Sequence, residues 1–327
     1  MVETAGTRAN PQVTAWGVAP LPVGAFSENS IANPELIADT LSNLLVSSGV
    51  KGTDVAAAVS SSHAITKVLG MPAGLGELEL EEQINIEALH FIPYPIDEVN
   101  IDHEVLCPST NNDDENEVLL VACRSSIVDD YVDLMGELEL NLKYLDIDTY
   151  ALERVYRSQN NLNANVDGPV AIFDIGSTSS HLLVLDVERV LYSRHQNFGA
   201  AQLVKLVRKE YGVSADEAEE ILNSAQPPAD FLQTVQEPFV EMLRQEVSRA
   251  LQFFYSSSSY SNIDSVILAG ACGALAGIGG DLELKLKSKV VVMNPFSEAA
   301  VMSRRDAVLS KAPGLAVAYG LSLRGLN

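Results

Sequence analysis

Apolar and polar positions alternate in strand fashion over 12–18, and Pro20 and Pro22 end that run. Asn33-Pro34-Glu35 opens a helix, with Asn33 as N-cap and Pro34 in the first turn. Leu36, Ile37, Leu41, Leu44 and Leu45 then recur at helical spacing until Gly49 stops them. A short apolar run over 55–59 predicts a buried strand. This alternation is that of a layered α/β fold.

The pattern changes over 61–142, which reads as an inserted α+β subdomain. A strand is expected over 64–69, a turn at Met71-Pro72, and a helix over 78–90 that stops ahead of Ile92-Pro93-Tyr94-Pro95. Strands follow over 101–106 and 118–122, joined by an acidic loop at 111–117, then a helix over 127–138. A buried strand over 142–147 and a helix from Thr149 return to the first layout. The asparagine-rich stretch 158–167 is expected to be a hinge.

The second half opens on a strong strand over 170–173, with further strands at 181–185 and 190–192. Gly199 opens a helix through Tyr211, and a short helix spans 217–222 before a proline loop at 225–229. A long helix over 238–255 carries a stripe of Val240, Leu243, Val247, Leu251 and Phe254, the spacing of core packing. Buried strands over 265–268 and 290–292 and a small-residue helix over 313–323 complete the chain. Gly279-Gly280 reads as a helix-ending turn.

The chain has 327 residues, room for two ordinary cores. Its formal charge of −23 is repelled by phosphate backbones and anionic lipid, which argues against nucleic acid and against direct membrane insertion. The first twenty residues lack the pattern of a signal peptide. Cys107, Cys123 and Cys272 are odd in number and far apart, as for free thiols in a reducing cytoplasm. His63, His90, His103, His181 and His195 are expected to make no close cluster, so no histidine metal site is expected.

Two motifs carry chemistry. In Phe173-Asp174-Ile175-Gly176-Ser177-Thr178 a buried strand delivers a carboxylate, and a glycine turn then presents small hydroxyl residues whose N–H groups can face an anion. A plain β-turn explains the same residues without a ligand. In Leu268-Ala269-Gly270-Ala271-Cys272-Gly273 a buried strand runs into tiny residues, which lets a flat ring approach the backbone, or simply lets helix and strand pack closely. In this order, about 95 residues apart, the two motifs are more specific together than alone.

Together they resemble the second phosphate loop and the adenosine motif of the actin and sugar-kinase superfamily. Five further segments are similar to the PilM family of type IV pilus machines: Phe91 to Asn100, Leu119 to Arg124, Asp148 to Arg154, Ser248 to Phe254, and Asn294-Pro295-Phe296. The resemblance implies an actin-like two-lobed ATPase fold of class α/β, with an FtsA-like α+β insertion. The expected division is 1–60 with 143–165 as the first lobe, 61–142 as the insertion, 166–198 with 262–327 as the second lobe, and 199–261 as its upper subdomain.

The resemblance also implies roles. Asp174 holds the water shell of magnesium; Gly176, Ser177 and Thr178 wrap the phosphates of ATP; Gly270, Ala271 and Gly273 flank the adenosine. Asp148 faces the attacking water, so Asp148 and Asp174 are the catalytic candidates of what is at most a weak ATPase. Glu217 and Glu220 are candidates for ribose or adenine, with solvated helix charge as the alternative. Tyr94 and Ile96 are candidates to receive the cytoplasmic N-terminal tail of PilN, with other pilus proteins and a homo-oligomer as further partners. The location implied is cytoplasmic, held at the inner membrane through protein partners. Relatives begin with another Asp-Ile strand and phosphate turn ahead of a segment like Met1-Val2-Glu3. Its absence implies either a late start or a half-built nucleotide site.

The implied function is an ATP-binding scaffold. A small-molecule kinase of the same superfamily is the alternative, although no sugar or acid pocket motif is evident. A filament former like FtsA is a third reading, although the last eight residues do not form a separate amphipathic helix.

Overall fold

The computed structural model describes every residue except 110–111, 160–161, 163–165, 188, 225, 276 and 327. Parts of the acidic loop, the expected hinge and the proline loop lie outside the described residues. The chain packs as two compact units, Met1–Trp16 with Thr149–Asn327, and Gly17–Asp148.

The first unit is built on a five-stranded sheet. Strands β10 (Val170–Ile175), β11 (Ser180–Leu185) and β12 (Val190–Gln196) run antiparallel; β13 (Ser265–Gly270) and β14 (Lys289–Val292) join β10 in parallel, giving the order β12-β11-β10-β13-β14. The three central strands are apolar along almost their whole length because both faces are covered. One face packs on α5 (Ala201–Tyr211), α6 (Ala215–Asn223), α7 (Glu237–Ser257) and α8 (Ile278–Leu286), through Phe173, Ile175, Leu182, Val240, Val247 and Phe254. The stripe predicted on the long helix is therefore core. A π-helical turn, Leu232–Gln236, precedes α7. Pro238 cannot donate to the carbonyl four residues back, which explains the relaxed register there.

The other face packs on α4 (Asp148–Arg157), the short helix α9 (Arg305–Leu309) and α10 (Ala316–Ser322), with Leu152, Val155, Tyr156 and Tyr319 in the core. Gly320 lets α10 lie directly on α4, since a Cβ there would stand 2.0 Å from the carbonyl oxygen of Ala151. A small sheet joins the same core: β1 (Val2–Thr7), β2 (Asn10–Trp16) and β15 (Ala300–Val301). Val13 and Trp16 are buried in it. The Arg304 guanidinium lies 4.5 Å from the Trp16 ring centroid and donates to the Trp16 carbonyl. The first sixteen residues and α4, expected with the first lobe, thus pack with the second half. These are contacts across hundreds of residues that no local pattern encodes.

The second unit contains the short hairpin β3 (Phe26–Ser27) and β4 (Ser30–Ile31), helix α1 (Pro34–Ser48), and the parallel pair β5 (Asp54–Val59) and β9 (Asn141–Ile147). Asn33 caps α1 by accepting from the Leu36 N–H, and Gly49 closes it at φ 73°. The expected insertion forms a three-stranded antiparallel sheet, β6 (Ala64–Pro72), β8 (Glu115–Arg124) and β7 (Val99–Pro108), in the order β6-β8-β7. Helices α2 (Glu77–Ala88) and α3 (Ser125–Glu137) accompany it. Met71-Pro72, read as a turn, is still paired strand, opposite Asn116 and Glu115, and the strand β8 takes over the end of the acidic loop. Ladder hydrogen bonds override local turn preference there.

Candidate functional site

The two chemical motifs meet at the carboxyl ends of neighbouring parallel strands. β10 ends on Asp174-Ile175 and β13 on Ala269-Gly270; Asp174 pairs with Ala269, and Ile175 with Gly270. Ligands of α/β proteins bind where such strand ends meet. Gly270 has φ +85°, and a Cβ on it would sit 2.2 Å from the Ile175 carbonyl oxygen. Only glycine brings the two turns this close.

The phosphate-loop candidates Gly176, Ser177 and Thr178 form the exposed β10–β11 turn, with Asp174 half-buried at its foot. The turn is held from behind by the start of α5. Ala200 N–H donates to the Gly176 carbonyl at 2.9 Å, and Ala201 N–H to the Ser177 carbonyl at 2.8 Å. Gly199 makes this possible, because a side chain there would strike both carbonyl oxygens, at 2.7 and 2.4 Å. With its carbonyls engaged by the helix, the turn keeps its hydroxyl side chains on the solvent side. Sequence reasoning took Gly199 only as a helix start. Its position opposite the loop is a tertiary fact.

Asp174 also faces His181 directly on β11, and His181 faces His195 on β12. Direct cross-strand partners share a sheet face, so the register sets all three on one side; alternation within a strand does not show this without the pairing. His181 is buried, lies 2.7 Å from Ser193 Oγ through Nε2, and has its pKa lowered to about 4 by burial and then by His195.

The adenosine-motif residues divide. Ala271 is exposed in the 3₁₀ turn Ala271–Ala274. Gly314 lies against its backbone: a Cβ there would stand 3.3 Å from the Ala271 Cα and at an ordinary 3.7 Å from its methyl. Gly273 is buried, with Pro313 3.0 Å from where its Cβ would be, so its role is close packing behind the turn. Cys272 is buried, and burial pushes its thiol up to about 12.

Glu217 and Glu220 are exposed on α6. Glu217 completes a capping box: its carboxylate accepts from Ser214 N–H at 2.8 Å, while its own N–H donates to Ser214 Oγ at 3.3 Å. The Ser214 bonds lower its pKa. This is a structural use of Glu217.

In the second unit, Asp148 Oδ1 accepts from Ser61 N–H at 3.0 Å. Tyr131 is pushed up to about 12, by burial first and then by the Asp148 charge. Tyr94 is 41 % exposed, with the Arg124 guanidinium 5.5 Å from its ring centroid. Ile96 is half-buried and packs with Phe91 against the core of Met71, Ile84, Val118 and Leu120. Phe91, Ile92 and Ile96 therefore anchor the proline segment, and Tyr94 is its open side chain.

A family profile described as type IV pilus assembly protein PilM matches residues 1–326. The chain belongs to the PilM family. Among solved structures, a PilM-PilN type IV pilus biogenesis complex matches with TM-score 0.82 and 25 % identity, covering 100 % of this chain and 95 % of that one. The ethanolamine utilization protein EutJ from Carboxydothermus hydrogenoformans matches with TM-score 0.54 and 15 % identity, over 92 % of this chain and 78 % of that chain, which speaks to fold alone. The fold is actin-like, as the PilM resemblance implied. Among the described residues no helix is long and apolar enough to cross a membrane, and no group of three or more metal-ligating side chains is present.

Proposed function

We propose that this chain is an ATP-binding scaffold of type IV pilus assembly that receives the N-terminal tail of PilN and links the inner-membrane complex to cytoplasmic machinery. The observation that carries the nucleotide part is the pairing of Ile175 with Gly270, which sets the hydroxyl turn beside the small-residue turn. Ser177 and Thr178 would meet the phosphates, Asp174 would order the water shell of magnesium, and the exposed Ala271 turn would lie along the adenosine. The partner part rests on whole-length membership of the PilM family and on the similarity to a PilM-PilN complex. Tyr94, exposed between Pro93 and Pro95 on a segment anchored by Phe91, Ile92 and Ile96, offers a preformed contact that loses little entropy on binding an extended peptide. Membrane association then runs through PilN.

Native mass spectrometry with and without Mg-ATP, followed by titration of a PilN tail peptide, tests both parts. The expected result is one nucleotide per chain and saturable peptide binding. A folded protein that retains no nucleotide at millimolar ATP refutes the first part; one that ignores the peptide refutes the second.

A further inference from the structure

The charge of this chain is distributed very unevenly. Residues 17–148 hold 24 acidic and 4 basic side chains, a balance of −20 out of the total −23. Within the insertion, 61–142, the balance is −16, with Lys67 and Arg124 as the only basic side chains. The other unit, larger and carrying 17 of the 21 Lys and Arg residues, is close to neutral. Solubility alone does not require such concentration, since a uniform spread would serve it equally.

Helix α2 lies in this acidic region and has two apolar faces. One is core: Ile84 and Ala88 are buried against Met71, Val118 and Leu120. The other is open, with Leu78, Ile86 and Leu89 exposed by 76, 54 and 63 %. At 100° per residue these three fall within about 80° of one another, forming a ridge about 16 Å long. Glu82 sits in the middle of the ridge, one turn from both Leu78 and Ile86. Glu77, Glu79 and Glu81 flank it, all exposed. A solvated helix face has no use for three large apolar side chains in a row.

We propose that the outer face of α2 is a docking surface for a basic amphipathic helix of a partner protein. Its apolar side chains would cover Leu78, Ile86 and Leu89, and a Lys or Arg would stand over Glu82. Charge complementarity identifies the occupant. A second acidic surface would be repelled, and a neutral apolar one would leave Glu82 desolvated and unpaired. The surface uses none of the residues assigned to the Tyr94 segment or to the β10–β13 turns, so it goes beyond the function proposed above.

The test uses the whole chain and a synthetic helical peptide of leucine and lysine with one apolar face. Titration calorimetry at 50 and 500 mM salt is combined with hydrogen exchange. Expected are saturable binding at low salt, at least tenfold weaker at high salt, and protection confined to α2. The triple variant Leu78→Ser, Ile86→Ser, Leu89→Ser should lose at least tenfold in affinity with an unchanged melting temperature, as should Glu82→Lys. Equal binding by either variant overturns the proposal. So does equal binding of a lysine peptide of the same charge without an apolar face. Self-association through this ridge in the absence of peptide would also overturn it, since a second copy would then be the occupant. If the triple variant fails to fold, Glu82→Lys alone decides.

Discussion

Asp174 and His181 stand opposite each other on adjacent antiparallel strands, a carboxylate at the foot of the phosphate turn beside an imidazole held neutral. Protonation of His181 is disfavoured down to about pH 4, by burial first and by His195 second. The unfolded chain takes up this proton near the ordinary value of 6.5. Between pH 6.5 and 4 the unfolded state therefore binds more protons than the folded one. Stability is full above pH 6.5 and falls as the pH drops through that window, by on the order of 3 kcal/mol. Urea denaturation from pH 7.5 to 4 should show the fall, and His181→Gln should flatten it. An unchanged slope in the variant would assign the effect to other groups.

Asp174→Asn should keep the fold and lose magnesium-dependent nucleotide affinity. The amide preserves the shape of the half-buried carboxylate but removes the charge that a hydrated cation needs. Mg-ATP affinity should drop at least tenfold, while affinity for adenosine stays within about twofold. An equal loss for both ligands would place the effect in the shape of the turn.

Gly270→Ala should unfold the meeting point of the two motifs. The new methyl would have to enter the Ile175 carbonyl from a backbone at φ +85°. Left-handed strain and the clash together should cost about 2 kcal/mol or more, read as a lower denaturant midpoint. By contrast Gly280→Ala, where a Cβ meets nothing within 4 Å, should be neutral or slightly stabilising.

Tyr94→Ala should weaken the PilN tail peptide at least tenfold with little change in melting temperature, since the ring is 41 % exposed and lies against the Arg124 guanidinium at the surface. Phe91→Ala should do the reverse and chiefly lower the melting temperature, because Phe91 packs on the insertion core. Loss of binding in both, with both stable, would widen the peptide site to the whole segment. No loss in either would move the site elsewhere.

Much of the fold was legible because its elements announce themselves locally. Asn33, Pro34 and Gly49 bound a helix by their own chemistry, and Val170 to Phe173 can hardly be anything but a covered strand. The site was legible as two motifs but not as one place. What joins them is the register Ile175–Gly270 and the backing of the loop by Ala200 and Ala201, which depend on pairing between distant segments. Gly279-Gly280, expected at a helix end, lies in the first turn of α8 instead, after Gly277 turns the chain at φ +79°. A glycine pair carries no direction of its own. The companionship of β2 with β15 was equally out of reach, since the partners lie almost 290 residues apart.

The parallel pairing of β10 with β13 also sets an order of events during synthesis. One turn is complete when residue 180 has been made, but its neighbour does not exist until about residue 275, and two strands and the helices of 201–257 must be stepped over before β10 and β13 can register. Such long-range closure comes late in folding. A nucleotide cannot therefore act as a template for the nascent chain. It can only lock a sheet that has already formed, and a chain released from the ribosome before β13 emerges would carry the hydroxyl turn, already backed by Ala200 and Ala201, without the small-residue turn that stands beside it.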